Sequence, residues 1–135
     1  MANSGLLDPV EAPGARSRRV VRRVAWLMVV EAMTLAVASA LHLSGQVTGR
    51  SGPFDADHAS VAEAIMGAVL VAGAAGMVCL PSKARVIGII VNGLAIAGFI
   101  LGLTMTVRGG HLPDIGYHLV VLPALIGSLV ALLSS

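Results

Sequence analysis

Four apolar runs of about 20 residues each leave this chain very few folds to choose from. They are Val24 to Leu43, Val61 to Leu80, Val86 to Val107, and Ile115 to Leu133. That length lets an α-helix cross a hydrocarbon core of roughly 30 Å. None of the runs alternates polar with apolar residues, so barrel strands are excluded. A helix also satisfies its own backbone hydrogen bonds in lipid, which an open strand cannot do. The breaks carry turn chemistry: Ser44-Gly45, Ser51-Gly52-Pro53, Pro81-Ser82, and Gly109-Gly110 ahead of Pro113. Connections this short favour antiparallel neighbours. The sequence therefore predicts an all-α, integral membrane, four-helix antiparallel bundle over residues 23–135, preceded by a disordered basic segment over 1–22.

Composition closes off the other classes. Only 12% of the 135 residues are charged and 56% are hydrophobic, whereas an ordinary soluble domain is about a quarter charged. With 3% aromatics, nothing is available to stack on bases, and the basic charge does not indicate nucleic acid. Arg16, Arg18, Arg19, Arg22 and Arg23 precede the first run, and Lys83 with Arg85 lies between the second and third; the other two connections hold Arg50 and Arg108. The positive-inside rule then places both termini in the cytoplasm, with the protein in the cell membrane. Ala38-Ser39-Ala40 is similar to a signal-peptide cleavage site and Ser17-Arg18-Arg19 to a twin-arginine signal. Glu31 and the apolar continuation to Leu43 favour retention of the first span. Cys79, the single cysteine, reads as a small hydrophobe.

Small residues four apart suggest where helices meet: Ala32, Ala36 and Ala40; Ala64, Ala68, Ala72 and Gly76; Gly98 and Gly102; Ala124 and Ser128. Such ridges let backbones approach closely. Pro123 is expected to kink the last span.

Polar residues are costly in hydrocarbon, so their depths are informative. Glu31 and Asn92 lie a similar distance into runs that start on the same side, roughly 10 Å deep, which makes a hydrogen-bonded pair plausible chemistry. His42, His58, His111 and His118 all fall on the opposite side, joined by Asp55, Asp57, Glu63 and Asp114. Ser60 through Glu63 fits a capping box, and Asp114 after Pro113 fits an N-cap.

Three functional readings follow. The first is a non-enzymatic accessory or assembly protein that packs in the lipid bilayer against a membrane partner or copies of itself. The second is a transition-metal or haem protein. Metal ligands would come from His42, Glu63 and His118, with His58, His111 or Asp114 completing the shell, and a haem would take His42 and His118 as axial ligands. The third is a proton-coupled small transporter titrating Glu31. A glutamate within the first of four spans is similar to the small multidrug resistance transporters; the third span lacks their aromatic platform, and the chain is not assigned to them. Hydrolytic and dinucleotide motifs are absent from the sequence, so enzymatic activity is not expected.

Overall fold

The computed structural model describes residues 14–46, 56–110 and 112–135, with residues 56 and 57 in backbone only. Four helices account for nearly all of it: α1 (Ala15–Leu43), α2 (Ala56–Cys79), α3 (Ala84–Gly109) and α4 (Leu112–Leu133). All four are long and apolar enough to cross a membrane. This is the architecture of a small multi-pass membrane protein.

The helices pack in cyclic order, α1 on α2, α2 on α3, α3 on α4, and α4 back on α1. The α1–α2 seam is the most extensive and the α4–α1 seam the sparsest. Every seam is antiparallel, as the short connections require. Gly110, in the left-handed region at φ +67°, closes α3 by donating its N–H to the Val107 carbonyl at 3.3 Å. Only glycine adopts that conformation freely, so two residues suffice to turn α3 into α4. At the other end Arg85 Nη2 donates to the Leu133 carbonyl at 2.8 Å, a cation at a helix C-terminus.

All four helices start earlier than their apolar runs. α1 is helical from Ala15 and carries Arg16 through Arg23 as its first turns, where an irregular segment up to residue 22 was the expectation. Residues 1–13 lie outside the described residues. Apolarity measures the stretch that fits in hydrocarbon, and a helix continues past it wherever water or headgroups solvate its side chains. α2 likewise begins at Ala56. Ser60 therefore sits a full turn inside the helix and does not cap it: the Ser60 carbonyl accepts from Ser39 Oγ at 2.9 Å. Asp114 falls in the first turn of α4, so it is not the N-cap. Pro113 there needs no backbone N–H, and α4 runs unbroken through Pro123.

The inward faces follow a 3-4 alternation. Met28, Ala32, Leu35, Ser39 and His42 are buried on α1, and Ser60, Gly67, Leu70, Ala74 and Met77 on α2. Gly88, Asn92, Ala95, Phe99 and Thr106 are buried on α3, and Val121, Leu125, Ser128 and Leu132 on α4. This is the spacing of left-handed, coiled-coil-like packing. It corrects the strict four-residue ridges: Ala64, Ala68 and Ala72 are exposed on α2, as are Ala36 and Ala40 on α1. A four-residue repeat drifts around the helix away from a 3-4 seam. Close approach comes instead at Gly73, where a Cβ would lie 2.7 Å from Met28 Cε and 2.7 Å from Val91 Cγ1.

Candidate functional site

Most of the buried polar side chains gather where α1 ends and α4 begins. His42 occupies the last turn of α1 and is 3% exposed. Its Nδ1 lies 2.9 Å from Glu63 Oε2 of α2, and its Nε2 lies 3.4 Å from Asp114 Oδ2 of α4. One imidazole thus joins three helices. The 3-4 stripe explains its placement, because His42 follows Ser39 and Leu35 on the buried face of α1.

Donor counting defines what this trio holds. A neutral imidazole has one N–H and an imidazolium two, whereas a carboxylate only accepts. The 2.9 Å contact between Nδ1 and Glu63 Oε2 is a hydrogen bond and holds one proton; the 3.4 Å approach of Nε2 to Asp114 Oδ2 is a longer, electrostatic contact.

His118, one turn along α4, does not join the trio. Its Nδ1 lies 2.7 Å from the Asp114 carbonyl, and since a carbonyl accepts, Nδ1 carries the hydrogen. The neutral ring then has its lone pair on Nε2, directed at Gly102 of α3, where a Cβ would come within 2.5 Å. Phe99 and Tyr117 flank His118, with ring centroids 5.2 and 6.0 Å away, so most of the few aromatic rings in the helices stand together. Tyr117 Oη is 2.7 Å from Thr34 Oγ1, and Thr34 donates to the Glu31 carbonyl at 2.8 Å. Because the Thr34 hydrogen is committed to Glu31, Tyr117 is the donor in the first contact.

Deeper in the bundle lies a second polar layer. Glu31 is 6% exposed and its Oε1 has no hydrogen-bond partner. Asn92 is fully buried; its Nδ2 donates to the Gly88 carbonyl at 2.8 Å and points at Met28 Sδ at 3.8 Å. Asn92 Oδ1 and Ser128 Oγ are also buried without a partner. Glu31 and Asn92 are thus both inside the bundle, as their depths suggest, but no hydrogen bond joins them.

Of the residues expected to ligate a metal, the structure brings His42, Glu63 and Asp114 together. It leaves His118 on a separate side of Asp114, and His58 is exposed at the start of α2. His111 and Asp55 lie outside the described residues, and the side chain of Asp57 is not described. Among the described residues, no group of three or more His, Cys, Asp or Glu side chains is arranged to hold a metal ion. Both nitrogens of His42 face carboxylates, which presents neither to a haem iron. Thr34, Ser39 and Phe99 are site residues that the sequence reading passed over. Ser39 was within reach of the 3-4 spacing; Thr34 and Phe99 carry no signal until α4 is placed beside them.

Two cavities flank this cluster. A groove of about 580 Å³ follows the α1–α4 seam from Val30 to His42 and Asp114. A second cavity, about 640 Å³, lies among α2, α3 and α4 and is lined by Glu63, His118, Phe99 and Tyr117. Tyr117 borders both. Compared with known proteins, the chain matches no family model, no curated relative and no solved structure.

Proposed function

We propose that this chain is a small proton-coupled membrane transporter, in which the His42–Glu63–Asp114 trio exchanges a proton with one side and Glu31 is the deeper titrating group. The supporting observation is His42 itself, a buried imidazole held between carboxylates from two other helices. Packing alone offers no reason for this group, because apolar residues of similar volume are usually at least as stabilising as a buried ionic cluster. Ionisable side chains within a spanning bundle characteristically mark proton or ion pathways. By the positive-inside rule the trio faces outward, opposite the arginine-rich start of α1. The Tyr117–Thr34 hydrogen bond leads from α4 toward Glu31, ending on its backbone carbonyl.

The test is dissipation of an imposed pH gradient in liposomes containing the purified full-length chain, followed with an entrapped pH dye. The wild type is expected to speed dissipation above protein-free liposomes, and Glu31→Gln and His42→Gln to lose that effect. A wild type no faster than empty liposomes, or a double variant as fast as wild type, overturns the reading.

A second reading, assembly with copies or a membrane partner, is supported by Ala64, Ala68 and Ala72 lying on the exterior of α2. Small residues there permit close helix contact. Loss of a defined oligomer in nanodiscs on Ala68→Leu is the expected outcome, and a wild type that is already monomeric overturns it.

A further inference from the structure

We infer that the cavity among α2, α3 and α4 binds an amphiphilic primary amine, its ammonium group held by Glu63 and its apolar body against Phe99, Tyr117, Met66 and Met105. This builds on the transport reading by giving the class of solute that the bundle handles.

The cavity has the size of a small-molecule site. At about 640 Å³ it falls within the range of pockets that enclose drug-sized ligands, roughly 300–1,000 Å³. Its walls are mainly apolar, and two of them are soft: Met66 and Met105 are unbranched thioethers that adapt to the shape of what they touch. Phe99 and Tyr117 stand 5.9 Å apart at a 43° angle, offering ring faces to an aliphatic or aromatic body and to a cation.

The polar groups decide the ligand's head. Glu63 uses Oε2 for His42, and among the described residues no hydrogen bond takes up its Oε1. His118 commits Nδ1–H to the Asp114 carbonyl and turns Nε2 onto Gly102. The Tyr117 hydroxyl hydrogen is spent on Thr34. Glu63 thus presents an acceptor without a matching donor, and a ligand that donates satisfies it; the other polar ring on the wall is that of His58, exposed at the start of α2. An ammonium supplies both the hydrogens and the opposite charge.

Glycine keeps the site open. A Cβ at Gly102 would lie 2.5 Å from His118 Nε2, and one at Gly98 would collide with Met66 Cε. The two residues that read as a GxxxG contact in the sequence therefore make room for the His118 and Met66 side chains. α3 contributes no ionisable side chain to this wall among the described residues, so the head-group chemistry rests on Glu63 of α2.

The experiment is calorimetric titration of the full-length chain in lipid nanodiscs with 4-phenylbutylamine, 4-phenylbutanol and 4-phenylbutyrate, corrected for partition into empty nanodiscs. The amine is expected to bind saturably and about tenfold or more tighter than the alcohol, with no saturable binding of the acid. Glu63→Gln, which removes the charge, and Met105→Trp, which fills the cavity, are each expected to weaken the amine by about tenfold. Equal binding of all three probes overturns the inference, as does amine binding that survives both substitutions. Because the three probes are compared on the wild type, the inference is exposed even where a variant misfolds. Proton movement without amine binding sinks this inference alone, and amine binding without proton movement sinks the transport reading alone.

Discussion

Replacing His42 by leucine tests the trio most directly. Leucine keeps the apolar volume but removes both ring nitrogens, leaving Glu63 and Asp114 facing one another with nothing between them. The contact to Glu63, at 2.9 Å, belongs to the class of charge-assisted hydrogen bonds worth about 1.5–3 kcal/mol. The longer contact to Asp114, at 3.4 Å, adds less. Breaking a fully buried pair costs about 3–5 kcal/mol. Here the carboxylate side chains retain 15% and 16% exposure, so water at the rim relieves part of that cost. The expected loss is about 2–3 kcal/mol. Adding Glu63→Gln and Asp114→Asn to the same background removes the stranded charges and is expected to return about half of it. Reversible unfolding in bicelles, for the wild type, the single variant and the triple variant, gives both numbers. A His42→Leu protein within about 0.5 kcal/mol of wild type refutes the argument. So does a triple variant no more stable than the single one.

Glycine substitutions should divide by position. Gly73→Ala, whose Cβ meets Met28 and Val91 at 2.7 Å, is expected to cost about 1–3 kcal/mol, whereas Gly93→Ala and Gly127→Ala meet nothing within 4 Å and should be neutral or gain up to about 1 kcal/mol; melting temperatures in one detergent rank them. Tyr117→Phe loses the hydrogen bond to Thr34 and is expected to cost about 0.6–2 kcal/mol in the same unfolding assay, with a Thr34→Val/Tyr117→Phe cycle showing non-additivity. Asn92→Leu removes an oxygen that has no partner and an amide bonded to its own helix, so a change of less than about 1 kcal/mol is expected; a loss above 3 kcal/mol would mean that Oδ1 has a partner.

How much could be read in advance depended on whether the information was local. Span number and approximate placement followed from hydropathy, because a 20-residue apolar run has few other uses. The gathering of His42, Glu63 and Asp114 at one end followed from counting depth along antiparallel spans. Which of these residues touch did not, since that depends on helix rotation about each axis. A rotation of one residue, about 100°, exchanges Ala72 for Gly73 on the inner face of α2. The small-residue pattern pointed to Ala72 because it repeats every four residues, whereas the helices meet along a 3-4 seam that places Gly73 inside. For the same reason the sequence puts His118 ahead of Asp114 as a partner of His42, whereas the hydrogen bond to the Asp114 carbonyl fixes its ring elsewhere. The capping box failed because helix starts outrun apolar runs, and the true start of α2 lies a turn earlier than the pattern implied.

The cyclic order of the helices also has a meaning in time. A nascent chain emerges from its N-terminus, so α1 enters the membrane with His42 and Thr34 already in place. Glu63 arrives with the second span, but Asp114 and Tyr117 belong to the fourth. Of these four helices, α1 therefore waits for α4 before its polar groups are fully matched. A chain truncated after Gly109 keeps three of its spans and still lacks every contact that α4 brings to α1. The four-helix bundle is thus completed by a ring closure, and the residues that close it are those of the candidate site.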